Sequence, residues 1–404
     1  MTSESVDDAR RAILDATDPM QPIDLPLAEA YGCVAAAEVS TEYDIPPFSS
    51  SEVDGFAARS ADIVAAGADS PVRLRISGWA LAGRPPEVTV GWGEAVRISA
   101  GAAVPAGADC IVQGDWAAVE GEEVLISEPV KAEAHIIPAG SDLASGSVLV
   151  PAGRRLGAAE LGIVATAGYG SVLAYPKLRV GVISLGDLIE PGREAAFGQA
   201  RDASSYLLIG ALREVGASPH RVGIVTDIDK DLPDTVSSNA LRVDAFVLAG
   251  GDSGSTETVA SALSLGEIHS RSVALYPGGE IGHGVAEGKP FFHLAGDPAA
   301  AFVSFDVFVR PAVLKMMGRQ ERGRPELKAI LDAPVRGPAG MTLYVPADIS
   351  FRDGAWHCSP IGTAGEGHLG SYVRATGLLV VPPGDTEVAE GTEVNVQVLR
   401  APER

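Results

Sequence analysis

The chain has 404 residues, 46% of them hydrophobic, and a formal charge of −22, a length too great for one ordinary core, so two to four domains are expected. The acidic excess argues against nucleic acid or an anionic membrane surface as a generic partner, because both require positive charge. No apolar run approaches the roughly 20 residues that cross a bilayer.

The start, MTSESVDDARRAILDAT, lacks the basic flank and apolar centre of a secretory signal, so a cytoplasmic location is expected. Residues 5–36 carry helical spacing, with Asp7 and Asp8 suited to a helix start. From Tyr43 to about Pro129 the runs VRLRISG, EAVRISA and EEVLISE, broken by glycine and proline, predict a β lobe. A glycine-punctuated passage follows; from Gly157 its pattern is helical, and this helix is expected to pack back on the N-terminal one. From Pro176 strands and helices alternate: KLRVGVISLG, SSYLLIGALREVG, HRVGIV, KDLPDTVSSNALR, DAFVLAGG and TETVASALSLG. That alternation predicts a doubly wound parallel sheet, which binds ligands beyond the carboxyl ends of its strands. After the helical run AAAFVSFDVFVRPAVLKMMG and the link RQERGRPE, short alternating strands predict a C-terminal β-barrel or sandwich. The expected class is therefore multidomain α/β and β. Its expected parts are a split helical subdomain (1–44 with 139–176), a β lobe (45–138), a central α/β domain (177–318) and a C-terminal β domain (319–404).

Within the central domain, VLAGGDSGSTETV reads as a buried strand, a glycine turn and a helix, the arrangement by which α/β proteins hold phosphate. Asp252 puts an acid in that turn. The tetrad GDSG follows an α/β strand and so lacks the double-barrel context of a chymotrypsin-like protease. His269, His283 and His293 show no metal-ligand spacing and read as surface or core histidines. Cys33, Cys110 and Cys358 form no CxxC pair and read as buried small hydrophobes.

Six stretches, PPFSSSEVDGFAARSADI, EAVRISAGAAVPAGADCIV, VGVISLGDLIEPG, GQARDASS, VLAGGDSGS and HLAGDPAAAFVSFDVFVRPAV, occur in the order of the MoeA family's motifs. The chain resembles that family, the molybdopterin molybdenumtransferases and the E domain of gephyrin, over nearly its whole length. The resemblance implies an elongated homodimer of four-subdomain protomers that inserts molybdate into adenylylated molybdopterin with Mg2+. Carried over position by position, it implies Asp54, Asp142, Asp187 and Asp202 as residual catalytic positions, with Asp187 also the candidate metal ligand. It implies Gly250, Gly251, Ser253, Gly296 and Ser371 as substrate-binding positions. Several polar members of the motifs are replaced. Leu188 and Ile228 stand where the family has acids, and Lys-Pro-Gly-Lys-Pro aligns with Tyr276, Pro277, Gly278, Gly279 and Glu280. One unit-charge repulsion near 4 Å costs about 4 kcal/mol at an effective dielectric of 20, so these changes weaken an anion site unless Arg97, Arg201 or Lys289 compensates.

The expectation drawn from these losses is a gephyrin-like homodimeric scaffold that needs no cofactor. It would hold a protein segment, from a tubulin-like division polymer or a membrane receptor, in a groove between the central and C-terminal domains. Phe308, Val309, Pro311, Tyr344, Val345 and Pro346 are the candidate groove residues. The alternative is a molybdopterin molybdenumtransferase acting in molybdenum cofactor biosynthesis.

Overall fold

The computed structural model describes residues 3–251, 255–263, 268–362, 368–384 and 387–401. By its internal contacts the chain divides into two compact units, one of Met1–Ala36, Gly153–Leu156 and Leu173–Arg404, the other of Ala37–Ala152 and Gly157–Val172.

The first unit is built on a six-stranded sheet. Its parallel part runs Ser218–Val225, Arg179–Leu185, Ala245–Gly250 and Lys289–Leu294, and Glu280–Ala286 and then His269–Ser272 extend it, each antiparallel to the strand before it. Every residue of Ala245–Gly250 is buried, as expected for a central strand covered on both faces. Side-chain alternation divides that strand between two cores. Ala245, Val247 and Ala249 pack with Leu208, Ala211 and Leu212 of the helix Ser204–Glu214. Phe246 and Leu248 pack with Leu232 and Val236 of the helix Ile228–Asn239. The predicted strands and the helices over SSYLLIGALREVG and KDLPDTVSSNALR are thus observed, the end of the predicted helix TETVASALSLG lies outside the described residues, and the two antiparallel strands make the sheet mixed.

The helix at the start of the chain is shorter than its spacing predicts. It spans Val6–Asp15, capped by the Ser5 hydroxyl, which accepts from the Asp8 N–H at 3.1 Å. Pro19, Pro22 and Pro26 end the helical possibility beyond it, and short strands Ile23–Pro26 and Val34–Ala35 follow. Val6, Ala9 and Ile13 join the core of the central sheet, whereas the helix Ala158–Thr166 belongs to the second unit.

The run from Pro298 to Met316 is helical throughout, with a π-helical turn at Phe305–Val309. Pro311 lacks an N–H for the usual i−4 carbonyl, and a widened turn just before it accommodates that loss. Beyond it, Glu326–Leu331, Thr342–Arg352, Ala355–Pro360, Gly377–Val381 and Glu393–Val398 close into a five-stranded barrel. Leu331, Ala347, Ile349, Leu379 and Val396 fill it.

The second unit carries its own six-stranded sheet, in the order Cys110–Gln113, Gly55–Ala58, Glu94–Ile98, Val72–Ala80, Glu123–Ile126 and Ala117–Glu120. Gly55 is required there, since a Cβ would lie 2.0 Å from the Val112 carbonyl oxygen. All three cysteines are buried and free; burial pushes the thiols of Cys110 and Cys358 up to about 12.

A candidate ligand site at the strand ends of the central sheet

Three predicted glycines converge where parallel strands end. Gly250 closes the strand Ala245–Gly250 at a φ of 128°, and a Cβ there would meet the Leu185 carbonyl oxygen at 2.1 Å. Gly251 follows at a φ of 87°, and a Cβ on Gly296, just past the strand Lys289–Leu294, would lie 3.2 Å from the Gly251 carbonyl oxygen. Bare backbone at this apex gives a ligand close access. Ser253, the next predicted substrate contact, and Asp252, the acid of the turn, lie outside the described residues.

His293 fixes this apex. Its Nε2 is 2.8 Å from the Gly250 carbonyl oxygen and its Nδ1 is 2.8 Å from the Thr256 hydroxyl. A carbonyl only accepts, so Nε2 carries the proton and Nδ1 accepts from Thr256. Burial lowers the His293 pKa, although the bond to Gly250 opposes that shift. The neutral ring therefore ties the glycine turn to the second residue of the helix Ser255–Ala262. That the histidine is buried fits the sequence reading; its clamping role was invisible because Gly250 and Thr256 lie 43 and 37 residues away.

A second turn borders the apex. At Gly278 a Cβ would be 2.8 Å from the Ser304 hydroxyl and 3.6 Å from the Ala300 carbonyl oxygen, which seats the turn Tyr276–Gly279 on the helix that Asp297 opens. Asp297 caps that helix, its carboxylate accepting from the Ala300 N–H at 2.8 Å. Gly279, where the family motif has its second lysine, holds a φ of 116° with a would-be Cβ 2.9 Å from the Val273 carbonyl oxygen. A lysine does not fit this backbone, so its loss is built into the local conformation. Tyr372 completes the border, its ring edge-on to Phe302 at 5.4 Å. Burial raises its pKa, and the Asp297 and Tyr276 oxygens push it the same way. The Tyr372 and Ser304 hydroxyls are buried without a hydrogen-bond partner among the described residues. Ser371, the predicted substrate contact beside Tyr372, is 6% exposed and faces Gly362, where a Cβ would sit 3.2 Å from its hydroxyl.

The acids separate by environment. Asp202 is 1% exposed and accepts from the Ser184 hydroxyl at 2.7 Å, the Ser205 N–H at 3.1 Å, the Ser205 hydroxyl, and Arg221 at 2.7 Å. Burial pushes its carboxyl up, but the bonds from Ser205, Arg221 and Ser184 outweigh burial and hold it below the usual carboxylate range. Arg221 also bonds Glu190 at 3.0 Å and lies 5.1 Å from the centre of the Tyr206 ring. A carboxylate so occupied anchors a strand end to a helix start; it is poorly placed to move protons. Asp187, past Gly186, is exposed. Among the described residues no three His, Cys, Asp or Glu side chains assemble to hold a metal, and Asp187 stands as a single exposed carboxylate.

Asp54 and Asp142 lie in the second unit. Asp54 is exposed, and its carboxylate accepts from the Ala100 N–H at 2.8 Å, which ties its turn to the next motif. Asp142 is also exposed, and its N–H donates to the Ile45 carbonyl at 3.0 Å. Of the cations expected to compensate, Lys289 begins its strand and so lies at the amino end, away from the apex. Arg97, in the second unit, stacks on Trp79 at 4.7 Å, and exposed Arg201 donates to the Arg193 carbonyl at 3.3 Å.

The six groove candidates need correction. Phe308, Val309, Pro311, Tyr344, Val345 and Pro346 are all buried, because the helix and the barrel strand that carry them turn these positions into the core. Pro311 and Tyr344 reach a cavity of about 340 Å³ with Arg10 and Arg324, but none of the six offers an exposed apolar anchor.

Comparison with known proteins adds three matched regions: the MoeA N-terminal region (domain I and II) at residues 4–168, a probable molybdopterin binding domain at 181–315, and the MoeA C-terminal region (domain IV) at 328–399. Molybdopterin molybdenumtransferase 1 of Mycobacterium tuberculosis is 32% identical, the alignment covering 98% of this chain and 99% of the relative. Molybdopterin molybdenumtransferase of Nostoc sp. is 30% identical over 95% of this chain and 89% of its own. A solved structure, the molybdopterin biosynthesis moeA protein from Pyrococcus horikosii, superposes with a TM-score of 0.80 at 29% identity, covering 99% of this chain and all of that one.

Proposed function

The chain belongs to the MoeA family, and on that premise we propose that it binds molybdopterin at the strand-end apex and inserts molybdate there, as a molybdopterin molybdenumtransferase of molybdenum cofactor biosynthesis. The observation that carries this reading is the meeting of Gly250, Gly251 and Gly296 at the carboxyl ends of adjacent parallel strands. An anionic pterin phosphate meets bare backbone there, beside the start of an eight-residue helix whose dipole favours negative charge. His293 keeps that helix in register with the turn. Molybdate and molybdopterin are substrates in this account. Mg2+ enters only as a companion of the substrate phosphates.

The site is weaker in cations than the family motif, with Tyr276, Gly279 and Glu280 at the Lys-Pro-Gly-Lys-Pro positions. That single observation favours a second reading, a homodimeric scaffold of the gephyrin type that retains the fold and holds a protein partner. The full-length relatives are named for the transferase, and with the groove candidates buried we place the enzyme reading first. Expression in a strain lacking its molybdenumtransferase separates the two: restored molybdoenzyme activity supports the enzyme, and folded protein without restoration supports the scaffold.

A further inference from the structure

A concentration of positive charge lies at the opposite end of the central sheet. The helix Ser204–Glu214 starts beside the end of the strand Arg179–Leu185, where Ser205 and Ser184 bond the same Asp202. It finishes at Glu214, just before the next strand begins at Ser218. A cavity of about 620 Å³ opens at this finish, lined by Glu214, by Arg310 of the long helix, and by the segment carrying Arg319, Glu321, Arg322 and Arg324. Four guanidiniums therefore face two carboxylates, in a chain whose formal charge is −22. A third acid, Asp306, lies behind them, 2.7 Å from Arg324 and 3.9 Å from Arg310.

The segment is held in place by its own arginines. Arg310 donates to the Arg322 carbonyl at 2.9 Å and Arg322 to the Arg319 carbonyl at 3.2 Å. The Arg319 guanidinium makes no hydrogen bond or ion pair among the described residues. Burial, and then repulsion from Arg155, holds Arg319 below the usual guanidinium range; burial does the same at Arg310 despite Asp306. Clustered, partly desolvated cations of this kind favour an anion among them.

We propose that this cavity is a second ligand site, which takes a phosphate-bearing small molecule on Arg319 and Arg322, with Arg310 and Arg324 behind them. Planar guanidinium forks match phosphate oxygens in pairs, and a phosphate monoester carries close to two negative charges at neutral pH. The volume lies within the ~300–1,000 Å³ range of small-molecule sites. The site stands apart from the strand-end apex, so it does not depend on the function proposed there.

The test is calorimetric titration of the intact protein at low ionic strength with inorganic phosphate and with AMP, using succinate as a dicarboxylate control. Saturable phosphate binding is expected, weakened roughly tenfold to a hundredfold by Arg319→Gln and tightened by Glu321→Gln. Tighter binding of AMP than of phosphate assigns the site to a phosphate monoester, and the reverse to free phosphate. The proposal is overturned if phosphate does not bind, if Arg319→Gln binds it as well as the parent, or if succinate binds as tightly. Should Arg319→Gln lower the ligand-free melting temperature, the Glu321→Gln titration decides alone, and no tightening there counts against the site.

Discussion

Single residues at the apex carry sharply different burdens. Gly250→Ala puts a methyl into the Leu185 carbonyl at a φ of 128°, and a loss above about 3 kcal/mol is expected in denaturant titration; a loss below about 1 kcal/mol contradicts the assigned backbone. His283 provides a pH-dependent prediction. It accepts from Arg271 at 2.9 Å and stacks near His269, and burial, then the charges of Arg271 and His269, lower its pKa from 6.5 to about 4. The unfolded chain thus takes up this proton before the folded one does, so stability falls as pH drops from about 6.5 to about 4. His283→Gln should flatten that part of a plot of melting temperature against pH, and an unchanged slope counts against the assignment. The glycines were legible in sequence because a positive φ or a close approach leaves few other choices. His293, Tyr372 and Ser304 were not, since their roles depend on partners brought together only by the fold.

At the scale of elements, the turn Tyr276–Gly279 and the helix opened by Asp297 set the local charge beside the proposed site. Asp297→Asn preserves the cap, as asparagine caps about as well as aspartate, so stability should change by less than about 0.5 kcal/mol. It removes a charge beside the apex, so molybdopterin should bind more tightly; weaker binding places the ligand elsewhere. Tyr276→Lys restores the family's first lysine on a half-buried position and should tighten adenylylated molybdopterin binding by roughly tenfold, the value of one charge-assisted hydrogen bond. Gly279→Lys should fail to do so and should destabilise the turn. The buried strands and their helices could be read from continuous apolar runs between glycine turns. The N-terminal helix was overread because its apolar spacing runs on past Pro19, where the backbone cannot follow. The π-helical turn at Phe305–Val309 leaves no periodic signature, since one widened turn shifts the pattern by a single residue.

For the whole molecule, the family was legible from ordered motifs, and alternating strands gave a C-terminal β domain whose choice between barrel and sandwich the strand pairing decides as a closed barrel. The division into compact units was less so, because Gly153–Leu156 is grouped with the central sheet while Gly157–Val172 is grouped with the β lobe. The homodimer implied by the resemblance is part of the functional proposal: light scattering at micromolar concentration should give twice the 41.5 kDa chain mass, and a monomer would remove the paired-protomer premise. The central claim is that the strand-end apex still performs the family's reaction. The most direct test is molybdate insertion into adenylylated molybdopterin by the purified protein, with the Tyr276→Lys variant alongside. The account predicts cofactor formation by the parent and faster formation by the variant; adenylylated molybdopterin left unconverted by both, with the protein folded, would contradict it.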